Sequence, residues 1–159
     1  MAFNGEIEFE DEEIRKFFNN FKKRLKAVDN GEKKFAALLS SIIYGDIMDH
    51  FKKEEGPQGK WPAWSKIYRE HMDKIGQGGN NLLQFSGRLR QNFLPTSVRT
   101  TKDNIEWFNN AKTKKGFPYA AAHNEGGSKL PKRNFMWASD NAVERMAKNT
   151  LGFILDEGI

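Results

Sequence analysis

The side chains able to do chemistry are few and scattered. His50, His71 and His123 are the three histidines of the chain. No two stand at the i, i+4 spacing that places a pair of imidazoles on one helical face for a metal ion. His123 and Glu125 have the His-x-Glu spacing of zinc deaminases, but that site takes its other ligands from cysteine, and the chain has none. The same lack removes disulfides, thiolate-held metals and thiol nucleophiles, and fits a reducing compartment. Ser86, in Phe85-Ser86-Gly87, lacks the preceding glycine of a nucleophile elbow. Gly76-Gln77-Gly78-Gly79 has no Lys-Ser/Thr after it, so it reads as loop glycine and not as a phosphate cradle. Glu54-Glu55 adjoin a turn, and Asp46 and Asp49 read as the solvated side of a helix. The expectation is a chain with no catalytic residue, no cofactor and no metal, in which His123 caps or hydrogen-bonds.

Charge and aromatic content point to binding instead. The chain of 159 residues carries a net charge of +5, yet its opening is acidic, with Glu6, Glu8, Glu10, Asp11, Glu12 and Glu13. Positive charge gathers later, at Lys112, Lys114, Lys115, Lys129, Lys132 and Arg133. A basic stretch admits nucleic acid or an acidic protein surface as partner. Phe117, Tyr119, Phe135 and Trp137 lie near it, but no RNA-recognition or helix-turn-helix signature accompanies them. Thirteen Phe and four Trp are many for a chain with a mean hydropathy of −0.75, so some rings are expected at contacts with other chains. An acidic opening is the opposite of a leader peptide, and the apolar run Phe35 to Tyr44 is too short to span a bilayer. These features describe a soluble protein, cytoplasmic when made, with no membrane role.

The elements that must position these residues follow from periodicity. The length fits one domain, 1–159, in which residues 1–10 form a strand or an arm that orders on a partner, with Phe3, Ile7 and Phe9 set among acids. Ile14, Phe17, Phe18, Phe21, Leu25 and Val28 make a helical stripe ended by Asp29-Asn30-Gly31. Phe35, Leu38, Leu39, Ile42, Ile43, Ile47 and Phe51 make a second, and both stripes are expected in the core of a helical hairpin. Gly56-Pro57-Gln58-Gly59 is a turn; Trp61-Pro62 and Trp64 sit on a loop or a first helical turn, where Pro62 suits the first helical position, and Ser65 to Ile75 read as a short helix. Ser86 is placed to cap a short helix to about Phe93. Ser97–Thr101 and Asn104–Asn109 read as a hairpin about Lys102-Asp103, and Pro118–His123 as a helical turn. Ser139 or Asn141 caps a last helix whose inward stripe is Val143, Met146, Ala147, Thr150, Leu151 and Ile154. The class is α+β: an N-terminal helical hairpin, a small antiparallel β-sheet, and a C-terminal helix packed on the sheet.

Four segments in the middle of the chain resemble a known family. Pro57-Gln58-Gly59-Lys60-Trp61-Pro62-Ala63-Trp64-Ser65 resembles the Pro-x-Gly-x-x-Trp-x-x-Leu-Ser run of the phage virion morphogenesis family. This family comprises tail-completion proteins such as those of Mu-like phages. Leu83 to Asn92 is similar to its Leu-x-x-Thr-Gly-x-Leu-x-x-Ser element, and Tyr119 to Gly126 to its Tyr-Ala-x-x-His-x-x-Gly. Pro131-Lys132-Arg133-Asn134-Phe135-Met136 matches its Pro-x-Arg-x-Phe-x block. Order and rough spacing agree over about residues 35–155, while Trp64, Ser86 and Asn92 stand where the family has Leu, Thr and Ser.

The resemblance implies a structural virion protein of the head–tail junction, in the host cytoplasm during assembly and then in the tail or neck. It implies a self-assembled ring, most often a hexamer, that docks on the tail tube or the head connector, with non-specific DNA contact possible in the lumen. Trp61, Trp64, Arg88, Tyr119, His123, Lys132, Arg133, Phe135 and Trp137 are the expected contact or loop-ordering residues. Within a ring, the acidic arm would reach the basic stretch of a neighbour. The alternative reading is a basic nucleic-acid-binding protein.

Overall fold

The computed structural model of the chain describes residues 12–29, 33–94, 97–100, 105–128 and 130–155. The expected arm at 1–10 and the Lys102-Asp103 turn lie outside these residues. Two long helices open the fold, α1 at Glu12–Asp29 and α2 at Lys33–Lys53. A small antiparallel hairpin follows, β1 at Glu55–Gly56 and β2 at Gly59–Lys60, then α3 at Lys66–Lys74 and α4 at Arg88–Gln91. A second hairpin, β3 at Val98–Thr100 with β4 at Ile105–Trp107, pairs Val98 with Trp107 and Thr100 with Ile105. Helices α5 at Tyr119–Glu125 and α6 at Asp140–Leu155 complete the α+β architecture. Among the described residues, no helix is long and apolar enough to cross a membrane.

Helix α2 is the spine. Its 3.6-residue periodicity buries Phe35, Leu39, Ile42, Ile43, Ile47 and Phe51 along one broad face. The lower half of that face, from Ile43 to Phe51, forms the main cluster with Trp61, Leu89, Phe93, Ala111, Ala120 and Phe135. Phe51 is tilted against Phe135 at 5.2 Å and meets the edge of Trp61 at 5.7 Å. Trp107 of β4 and Met146 of α6 both pack on this cluster, which sets the last helix over the strand region.

Helix α6 is rotated from the phase its sequence suggests. Val143, Ala147 and Leu151 face outward, whereas Ala142, Met146, Thr150, Gly152 and Phe153 turn inward. Two contacts fix that phase. Ser139 caps the helix through its Oγ, which accepts from Ala142 N, and is itself held by Asp46 of α2, whose carboxylate accepts both its N–H, at 2.8 Å, and its hydroxyl. At the other end Phe153 packs on Phe35 at 5.6 Å. Ala142 and Gly152, both buried, leave room for α2 and α6 to approach closely.

Helix α1 also departs from expectation, since its stripe is only partly core. It packs mainly on α6, where Arg24 donates from Nη1 to Phe153 O at 2.8 Å. Ala27 is buried, but Phe17 and Leu25 stay about half exposed. Among the described residues, α6 is the main support of α1, and it leaves part of the α1 apolar stripe exposed.

Candidate functional site

Four separated segments converge on one groove of about 610 Å³. Ala63, Trp64 and Ser65 form one wall with Tyr68 of α3. Leu83, Phe85, Ser86 and Leu89 form the second. Tyr119 and His123 of α5 close one side, and Leu130, Pro131 and Arg133 the other. The lining is mainly apolar and aromatic, holds two cationic or titratable nitrogen side chains, His123 and Arg133, and contains no carboxylate.

Local chemistry explains why the walls stand where they do. Residues Trp61 to Ser65 run extended before α3, and Ser65, not Pro62, begins that helix: its Oγ accepts from Tyr68 N. Trp64 is held edge-on by Tyr68 at 5.6 Å, with the Arg69 guanidinium 5.6 Å from its ring centre. The second wall begins at a tether between Glu54, which ends α2 in a left-handed conformation (φ 53°), and Leu82, whose N–H donates to the Glu54 carboxylate. Leu83 follows with φ 61°, a left-handed conformation unfavourable for a branched side chain. Gly87, at φ 68°, then takes the cap of α4 that Ser86 was expected to fill.

Below the groove, Arg133 and Asn124 fasten the last segment. Arg133 Nε donates to Pro62 O at 2.9 Å and Nη2 to Ala63 O at 3.2 Å, so one guanidinium holds the extended segment that carries Trp64. Asn124 Oδ1 accepts from both Phe135 N and Met136 N. Arg133 N donates to His123 O, and Trp61 Nε1 to Asn134 O at 3.0 Å. The backbone approaches so closely here that a methyl on Gly56 would sit 2.8 Å from Asn134 O. Gly126, at φ 79° and ψ −178°, occupies a region open essentially to glycine alone.

The expected site residues therefore separate into three groups. Trp64, Tyr119, His123 and Arg133 meet at the groove. Arg88 and Lys132 are exposed beside groove residues in the sequence. Trp61 and Phe135 are core, at 6% and 0% exposure, where they order the loops from beneath. Trp137 lies elsewhere, stacked on the buried His50 ring at 4.4 Å. Arg133 is buried as well, so its place among surface cations is corrected: it is a clamp whose acceptors are backbone carbonyls. Sequence reasoning passed over Tyr68, Leu83, Phe85, Leu130 and Asn124. The available signal was two apolar residues, Leu83 and Phe85, directly after a Gly/Asn-rich loop.

Burial, and after it the Arg133 guanidinium, push the His123 imidazole below its ordinary value of 6.5. Its Nδ1 is buried and finds no partner among the described residues. Burial likewise lowers the Arg133 pKa, opposed by Tyr68 and Glu54. The unfolded chain thus takes the His123 proton first as pH falls. Stability from this residue is complete above about pH 6.5 and declines as pH drops toward the lower folded value. In urea titrations between about pH 7 and pH 5, His123→Asn should lose less stability than the parent chain. Equal losses would show that His123 is not the responsible group.

Two other clusters lack these features. A smaller cleft of about 360 Å³, which shares Ala63 and Trp64 with the groove, includes Lys53, Lys60 and Arg69, but Glu55 lies 3.8 and 3.7 Å from the two lysine ammonium groups. Asp46, His50 and Ser139 come together, yet Ser139 hydrogen-bonds to the aspartate and not to the imidazole. His50 Nδ1 donates to Phe135 O at 3.1 Å, so this cluster fastens α6 to α2 and activates no nucleophile. Among the described residues, no group of three His, Asp or Glu side chains is placed to hold a metal ion.

No family model, curated protein or solved structure matches the chain.

Proposed function

We propose that the chain is a structural virion protein of a tailed phage or prophage, a tail-completion component that acts by ring assembly and docking at the head–tail junction. The observation that carries this reading is the meeting of all four family-like segments at one groove, a concave, carboxylate-free apolar surface suited to a protein side-chain cluster. It is supported by apolar side chains that remain about half exposed outside the groove, Leu25 of α1 and Val143 and Leu151 of α6. A ring built head to tail requires two different faces of this kind on each copy. Tail tube and head connector are the partners this role implies.

Solution mass, measured across protein concentration and salt with duplex DNA added in parallel, tests the proposal. A discrete multimer of the 18.3 kDa chain, unchanged by DNA, is expected. A monomer that binds DNA and loses affinity by about 10³–10⁵ between 50 and 200 mM salt would overturn it in favour of a nucleic-acid-binding protein.

A further inference from the structure

We propose that the groove takes residues 1–11 of a second copy of this chain, laid in extended with the apolar side chains inward. This occupant rests on the ring reading above, because it joins neighbouring copies.

The sequence of that segment fits the groove in pattern and in charge. Phe3, Ile7 and Phe9 fall at odd positions, with Gly5 between them, whereas Glu6, Glu8 and Glu10 fall at even ones. In an extended chain successive side chains point to opposite faces, so from Phe3 to Glu10 such a segment has one apolar edge and one acidic edge, and Asp11 follows after the last apolar side chain. The groove offers aromatic and aliphatic walls at Trp64, Phe85 and Tyr119 for the apolar edge, and its lining holds no carboxylate to repel the acids. Arg88 and Lys132, exposed beside lining residues in the sequence, add positive charge near it. A run of eleven extended residues spans up to about 36–40 Å, which gives the segment reach beyond α1 while that helix stays on its own α6. The polarity of the match is specific. An acidic arm with a polar inward edge would be held by charge alone and released by salt, whereas this one also buries two phenyl rings and a branched aliphatic side chain.

The lack of native cysteine permits a direct test on the full-length chain. Glu8→Cys, which keeps all three apolar anchors, is mixed with Ser86→Cys, an exposed position on the groove wall, and treated with a short bismaleimide. A covalent dimer carrying one copy of each variant is expected. It should disappear when Phe3, Ile7 and Phe9 of the Glu8→Cys chain are all replaced by Ser. Absence of the mixed dimer would overturn the proposal, as would efficient linkage within one chain when both cysteines are placed in the same copy. The ring reading is judged separately by the mass of the unmodified chain. A multimer without the cross-link sinks the arm alone, and a DNA-binding monomer sinks the ring.

Discussion

Arg133→Met should destabilise the chain by about 2–4 kcal/mol and lower its melting temperature by roughly 5–12 °C. The side chain is buried, and its guanidinium is held by two carbonyls, Pro62 O and Ala63 O, more than sixty positions away in sequence. A charge-assisted hydrogen bond contributes about 1.5–3 kcal/mol, and a methionine leaves both acceptors without that donor. The loss stays below the largest core values because Pro62 and Ala63 lie at the surface, where water can reach part of the exposed backbone. Arg133→Lys separates charge from geometry. An ammonium keeps the charge but lacks the planar fork that bridges successive carbonyls, so it should recover less than half of the loss. A lysine variant as stable as the parent would show that charge alone suffices. The functional consequence follows from the same bonds: without the clamp, the extended run that carries Trp64 loses its anchor, and the groove loses a wall.

Arg133 also shows where sequence reading stops. It stands in a run of cations, Lys129, Lys132 and Arg133, and by composition is one more surface charge. Its acceptors are backbone groups brought close only by the fold, and no spacing rule reports a contact of that separation. The same holds for Asp46 with Ser139 and for Asn124 with the backbone of Phe135 and Met136. Local rules did well where local forces dominate. The α2 stripe from Phe35 to Phe51, the β3–β4 hairpin and the helical turn after Pro118 all follow from periodicity or propensity. Where two good caps compete, the backbone decides: Gly87 displaces Ser86 because the chain there turns left-handed. In α6, periodicity correctly called for a helix but misphased its stripe: Met146 and Thr150 turn inward as expected, whereas Val143, Ala147 and Leu151 do not. Ala, Val, Thr and Leu are nearly interchangeable in an apolar stripe, and the phase is set by the Ser139–Asp46 tie and by Phe153 meeting Phe35. The groove was legible only in part. The four segments could be recognised by type, and Trp64, Tyr119 and His123 named from them, but that they face one another is a property of tertiary packing.

Phe85→Asp should leave the chain folded and strongly weaken its assembly. Phe85 is 56% exposed and lies outside the buried core, so its loss removes little burial, and the melting temperature should stay within a few degrees of the parent. In the groove, however, it supplies one of the aromatic walls, and a carboxylate there meets the arm's inward apolar edge and is desolvated without a partner. A central aromatic contact of this kind contributes about 2 kcal/mol or more to association, so the dissociation constant should rise at least about thirty-fold. Ile67→Asp is the matched control. Ile67 is the most exposed large apolar residue described, at 81%, and sits on α3 beside Tyr68 without lining the groove. If exposed hydrophobicity in general drives assembly, Ile67→Asp will weaken it as much as Phe85→Asp does. If the groove is the contact surface, sedimentation will show the Ile67 variant assembled and the Phe85 variant dispersed, with the two unfolding at closely similar temperatures. An assembled Phe85 variant would move the interface away from the groove, toward the helices α1 and α6, where Leu25, Val143 and Leu151 remain about half exposed.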